Sequence, residues 1–340
     1  MAYTNQTTTT LPDLISKLNT FLAANGWTTH HVPASGEFAA RKTATGVDVA
    51  LAGQWNTSSA LHMAIYQWHG AAYNSGASPW AQTNDSGNGA ASTSNASIVT
   101  ERLIGNVGSP LQFWCFEGDY YFHVVIEASV GEYVHFGAGS LEKFNDWTGG
   151  DYVYGHRFNG SSSTNSAVDA GTTNLLDGLV NGTNLEKHAA TVYLIGMLNQ
   201  PAGGIYGVVM GNQSAASLGQ DRQSVPKDRV HLMGGFRGGP STLQWGMFHG
   251  NVASGLLPGY PITIFHRDVL GGTPTGDIEG PLGRMPDVRG MSIRNYAGGD
   301  ELVIGSDTWV VFPSFKKYPG SGSLANTSGY QGIAYRKNTL

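Results

Sequence analysis

The first clear pattern along the chain is helical. Leu11, Leu14, Ile15, Leu18, Phe21 and Leu22 recur at spacings of three and four, which lays one apolar stripe along a helix. Pro12 fits its first turn, Asp13 complements the positive end of the helix dipole, and Asn25-Gly26 is a stop signal. Trp27 is expected to fold back over the helix end. After it the apolar positions take the period of strands. Glu37 to Arg41 and Val47 to Ala52 flank a hairpin-like turn at Thr43-Ala-Thr-Gly46, and Leu61 to Trp68 is a third strand.

The densest strand signal spans 111–138. Leu111 to Glu117, Tyr120 to Ala128 and Tyr133 to Phe136 are separated by Gly118-Asp119 and Val130-Gly131-Glu132, which is tight-turn chemistry. An antiparallel meander is expected. Further strands are expected at Gly204 to Met210, Ser241 to Phe248 and Pro261 to Val269, with a short helix near Asn184 to Val192. A final hairpin runs from Glu301 to Ile304, turns at Gly305-Ser-Asp307 and returns through Thr308 to Phe312, with Gly332 to Arg336 closing the sheet. Two stretches are punctuated throughout by Gly, Ser, Asn and Thr: the long loop Ala71 to Ser97 and residues 160–225. No repeat of about 20–50 residues appears, which disfavours a propeller or solenoid.

The expected fold is therefore mainly β: an antiparallel sheet or sandwich with an N-terminal amphipathic helix and a loop-rich insertion. Residues 1–160 are expected to hold the helix and meander, 161–240 the insertion, and 241–340 strands completing the same β domain.

Composition narrows the class. Of 340 residues only 13% are charged, about half the usual share, whereas 48 are glycine. With 8 Trp, 15 Tyr and 13 Phe the chain has enough apolar surface for a core, which argues against disorder. The glycines lack a three-residue period, so collagen is excluded. A net charge of −5 and the lack of any run of three Lys or Arg make direct nucleic-acid binding unexpected. No stretch approaches the roughly 20 apolar residues of a spanning helix, so membrane insertion is not expected. The polar start, Met1 to Thr10, lacks the basic and apolar regions of a signal peptide. The single cysteine, Cys115, lies in Leu111-Gln-Phe-Trp-Cys-Phe-Glu117 and reads as a small buried hydrophobe made in a reducing compartment.

Candidate chemistry is sparse. The sequence has no His-Glu-x-x-His, Gly-x-Ser-x-Gly, P-loop or Cys-x-x-Cys pattern. Among eleven histidines, adjacent His30 and His31 point to opposite faces of a strand, and His62 and His69 sit at opposite ends of one. His123 and His135 lie on consecutive strands, where only the register decides whether they meet. No metal, cofactor or catalytic residue is assigned. Glu117, Asp119, Glu127 and Glu132 cluster at the meander's ends and turns, where solvated charges belong; as glycosidase carboxylates they need a shared groove. Trp80, in the Ala71 to Ser97 loop with Asn84, and Trp147, ahead of Asp151, are the candidate interface residues, because amphipathic rings suit a wet contact or a glycan. The Asn-x-Ser/Thr sequons at Asn56, Asn95 and Asn181 are expected by chance in so polar a chain.

Three blocks resemble tailed-bacteriophage virion structural proteins. The first is Asp119-Tyr-Tyr-Phe-His-Val-Val-Ile-Glu127 with Tyr133-Val-His-Phe-Gly-Ala-Gly139, Leu141-Glu-Lys143 and Trp147-Thr-Gly-Gly-Asp-Tyr-Val-Tyr-Gly-His156. The second is the ending, Glu301-Leu-Val-Ile-Gly305, Trp309-Val-Val-Phe-Pro313 and Gly332-Ile-Ala-Tyr-Arg-Lys337; the third is the opening helix with Asn25-Gly26-Trp27. The resemblance implies a non-enzymatic, multi-copy component of the tail, baseplate or neck, assembled in the bacterial host cytoplasm with copies of itself and other virion proteins. Two alternatives stay open: a module binding a host surface glycan or receptor, and a polysaccharide-degrading enzyme with two carboxylates in one groove.

Overall fold

The computed structural model describes residues 1–44, 47–55, 63–67, 101–102, 112–144, 151–155, 190–195, 205–210, 228–232, 259–268, 278–313, 316–317 and 331–337. In chain order these residues form β1 (Ala2–Thr7), α1 (Leu11–Ala24), β2 (Thr28–Val32), β3 (Glu37–Ala44), β4 (Val47–Trp55), β5 (Met63–Gln67), β6 (Glu101–Arg102), β7 (Gln112–Gly118), β8 (Tyr121–Ser129) and β9 (Glu132–Ser140). There follow β10 (Glu142–Lys143), β11 (Asp151–Gly155), β12 (Ala190–Ile195), β13 (Ile205–Met210), β14 (Asp228–Leu232), β15 (Tyr260–Asp268), β16 (Ile278–Ser292), β17 (Asp300–Ile304), β18 (Asp307–Pro313) and β19 (Gln331–Lys337).

The strands make three antiparallel sheets. A central sheet has the order β1-β7-β8-β9-β11-β12-β13. One flanking sheet runs β2-β3-β4-β5-β6, and the other β14-β15-β16-β19-β18-β17, with β10 also pairing β16. Among the described residues the architecture is mainly β with one helix, near the N-terminus, as the sequence pattern predicts.

The helix is held by its ends. Thr10 is the N-cap, its Oγ1 accepting from the Asp13 N–H at 3.2 Å, while Asp13 Oδ2 reaches back to the Thr9 N–H and to Lys17 Nζ. At the other end the Trp27 N–H bonds Leu22 O and the Gly26 N–H bonds Ala23 O, a Schellman stop with Gly26 at φ +82°. Trp27 and Leu22 share the same core, so the tryptophan does return to the helix. That core gathers Leu11, Leu14, Ile15 and Leu18 of α1, Phe38, Val49, Leu51 and Trp55 of the β2–β6 sheet, and Phe113, Phe122, Val124 and Phe136 of the central sheet.

Strands β7, β8 and β9 are covered on both faces, which explains why their sequences are nearly continuous apolar runs rather than alternating ones. Phe113 and Cys115 face the helix side, whereas Trp114 and Phe116 face the β14–β19 sheet. There Trp114 meets Phe312 edge-on with centroids 4.8 Å apart, and Phe116 stacks on Tyr335 at 5.1 Å. The outer face of that second sheet carries a smaller core of Met291, Ile293, Trp309, Val311 and Ala334.

Several expectations change. The polar start of the chain forms β1, paired with β7 from Ala2↔Glu117 to Thr7↔Gln112, because Tyr3 packs on Phe116 at 5.2 Å. The helix expected near Asn184 to Val192 is overturned over its described part: Ala190 to Val192 begin β12, whose β-branched and aromatic residues Thr191, Val192 and Tyr193 favour a strand. Residues 278–292, which carried no strand expectation, form β16 despite Pro281 and Pro286. Strand β3 runs past its expected end at Arg41 to Ala44, where it pairs with Val47, the expected start of the next strand. The expected strand Ser241 to Phe248 lies outside the described residues.

Candidate functional site

Two polar features stand where the central sheet meets the β14–β19 sheet. The first is a pair of buried histidines. In the β8–β9 register His135 opposes Val125 and His123 opposes Gly137, so the two imidazoles share a face but sit two positions apart. Each reaches across the sandwich to a prolyl carbonyl. His123 Nε2 lies 3.1 Å from Pro286 O, and His135 Nε2 lies 2.9 Å from Pro313 O. A carbonyl only accepts, so both rings carry the proton on Nε2; His135 Nδ1 then accepts from the Tyr335 hydroxyl at 2.9 Å. Burial lowers His123 to about 3 and His135 to about 4, with the carbonyl contacts opposing the shift. Both are neutral pegs between sheets.

The second feature is a cleft of about 700 Å³ at one end of the same interface. The β7–β8 turn supplies Gly118 to Tyr121, the β9–β10 junction Ser140 to Lys143, β16 Pro286 and Asp287, and β19 Arg336. Asp287 is its centre. The Tyr121 hydroxyl donates to Asp287 Oδ2, and Arg336 Nε lies 2.8 Å from Oδ1. Arg336 also approaches Asp307 at 3.7 Å, and at the rim Arg284 pairs with Glu142. Burial, followed by the Asp287 charge, pushes the Tyr121 phenol far above its ordinary value, so it stays protonated and donates. Burial raises Asp287 too, against the Tyr121 hydrogen bond and Arg336, which pull it down.

Asp287 is the one non-glycine residue with positive φ among the described residues, at 56°. It stands where β16 changes partners. One edge of β16 pairs with β15 from Ile278 to Gly290, while the other edge pairs with β10 at Gly283 and Arg284 and with β19 from Val288. Asp and Asn tolerate this left-handed conformation best.

Trp80, Asn84 and Trp147 lie outside the described residues, and Asp151 opens β11 opposite Ser140 and Ile195. His62 and His69 also lie outside them. His30 Nε2 is 3.5 Å from Glu37, while His31 leans on Trp55 with centroids 5.9 Å apart. Cys115 is fully buried, and burial raises its thiol well above the ordinary range.

The meander carboxylates do not share one groove. Glu132 pairs with Lys316 at 2.7 Å, Glu127 accepts from the Gly131 N–H at 3.0 Å, and Asp119 lines the cleft. Glu117 corrects the expectation of a solvated strand end. It is 3% exposed, accepts from Trp27 Nε1 at 2.9 Å and lies 2.6 Å from Lys42 Nζ. Trp27, just past the helix, covers that end of β7, and β3 brings the counter-charge in Lys42.

The cleft escaped the sequence reading because Tyr121, Glu142, Asp287 and Arg336 are far apart in the chain. The only local signal was Pro286-Asp287, which reads as a turn. No protein-family model and no curated protein sequence matches this chain.

Proposed function

We propose that this protein is a non-enzymatic structural component of a tailed-phage virion, assembling in the tail, baseplate or neck through contacts with copies of itself and other virion proteins. The resemblance in residues 119–156, 301–313 and 332–337 supports the virion assignment. The observation that favours assembly is the open side of the sandwich. There β1 borders the central sheet and β17 borders the second sheet, and Lys337 of β19 touches both: its Nζ is 2.6 Å from Glu301 and 4.9 Å from the Tyr3 ring centroid. On the opposite side β13 runs against β14.

Among the described residues neither β1 nor β17 has a second strand partner, so two neighbouring edges present backbone of the kind that an incoming strand pairs with. Val303 on β17 is 67% exposed, an apolar residue on an edge that a monomer has reason to blunt. A surface poor in charge and rich in Ser, Thr and Asn suits wet, polar subunit contacts.

The test is immunogold labelling of intact particles from the source lysate, viewed by electron microscopy. Clustered label at the tail tip or neck supports the assignment and separates baseplate from collar, and label over the capsid moves the protein to the head. Antigen that stays free in the lysate, with no particle labelled, defeats it.

A further inference from the structure

We propose that the cleft around Asp287 binds a neutral saccharide unit, a role separate from assembly. Its volume, about 700 Å³, lies within the range of small-molecule sites, and its lining mixes apolar wall with a few convergent polar groups. The floor sets a guanidinium beside a carboxylate: Arg336 and Asp287 are 2.8 Å apart and both border the cavity. Adjacent hydroxyls on a sugar ring need that combination, one accepting from N–H and the next donating to carboxylate oxygen, and the bonds are charge-assisted. Tyr120 supplies the amphipathic surface that a pyranose ring's C–H face packs against, while Tyr121, 4% exposed and stacked on His123, holds the carboxylate from behind.

The charge balance selects the class. Asp119, Glu142 and Asp287 stand against Lys143, Arg336 and the Met1 ammonium along the lining, so the charges balance and no strong positive field draws a phosphate or polyanionic chain. The backbone at Asp287 points the same way. Positive φ is a cost that glycine would remove, yet the residue there carries a carboxylate tied to Tyr121 and Arg336. Strained positions held by their surroundings cluster at ligand sites.

The experiment is saturation-transfer-difference NMR on the full chain with millimolar methyl glycosides of glucose, galactose, mannose, N-acetylglucosamine and rhamnose, and with glucuronate as the charged control. At least one neutral glycoside should take up saturation. Asp287→Asn should weaken it by roughly tenfold or more, since asparagine tolerates the left-handed backbone and still accepts from Tyr121 but loses the charge. Tyr120→Ala should weaken it as well, and an unchanged circular dichroism spectrum shows that both variants remain folded. The proposal is overturned if no neutral glycoside responds, if only glucuronate does, or if a response survives Asp287→Asn at full strength.

Discussion

Acidification should unlock the contact between the central sheet and the β14–β19 sheet, and the size of the effect follows from His123 and His135. In the unfolded chain an imidazole titrates near 6.5; in the folded chain burial holds these two at about 3 and about 4. Between those values the unfolded state binds protons that the folded state refuses, so stability falls as pH falls through 6.5. At pH 5 each unfolded histidine lies about 1.5 units below its midpoint, and at about 1.4 kcal/mol per unit each costs roughly 2 kcal/mol. The pair therefore removes about 4 kcal/mol, a large part of the 5–15 kcal/mol typical of a folded protein. Four other groups among the described residues bear on the difference. Asp13 and Glu132, held low by Lys17 and Lys316 despite some burial, lose their contribution only near and below about pH 4. Asp287, held high, works in the opposite direction, and the half-buried His31 adds a smaller loss of the same sign. Urea titrations at pH 7 and pH 5 measure the difference. His135→Gln should remove about half of it, because one of the two refused protons is gone. A wild-type difference below about 1 kcal/mol, or imidazole resonances of either histidine showing charge at pH 5.5, would refute the reasoning.

Three further perturbations test the packing. Lys42→Met leaves Glu117, 3% exposed, with Trp27 but no counter-charge, and should cost about 3–5 kcal/mol in denaturant titration; adding Glu117→Leu should recover much of that loss. Gly332→Ala puts a methyl 2.6 Å from Phe312 O and against Ile293, so overpacking between β18 and β19 should cost about 1–3 kcal/mol in the same assay. Thr10→Ala removes the acceptor for the Asp13 N–H and should cost about 1 kcal/mol, read as a lower melting temperature with the folded spectrum retained.

What the sequence discloses is local or saturating. The α1 stripe, its Asn25-Gly26 stop and the hairpin of β17 and β18 are written within a few residues, and each was legible. So was the meander, since β7, β8 and β9 are buried on both faces and their apolar runs leave no other home. Strand β1 was hidden because Ala-Tyr-Thr-Asn-Gln-Thr has no apolar alternation; β7 recruits it through backbone pairing and one ring contact, Tyr3 on Phe116. Strand β16 was hidden by Pro281 and Pro286, which demote a run as a strand when read alone. Its pairing with β15 shifts register across Ile264 and Phe265, where Pro281 sits, and Pro286 contributes a carbonyl that His123 uses.

The two faces of the central sheet solve different problems. Toward α1 and the β2–β6 sheet the contact is a continuous apolar core, and at its edge one buried ion pair, Lys42 with Glu117, is tied in by Trp27. Apolar packing alone tolerates small slips, because many arrangements bury similar area. Toward the β14–β19 sheet the rings of Trp114, Phe116, Phe312 and Tyr335 supply the burial, while His123 and His135 add hydrogen bonds to Pro286 and Pro313. Those bonds are satisfied in one alignment only: moving β16 or β18 by a residue leaves a buried N–H without its carbonyl. Pro286, whose carbonyl His123 uses, immediately precedes Asp287, so the alignment that satisfies His123 also places the carboxylate between Tyr121 and Arg336. The buried histidine and the cleft are thus consequences of one register, and a variant that loosens the first should misplace the second.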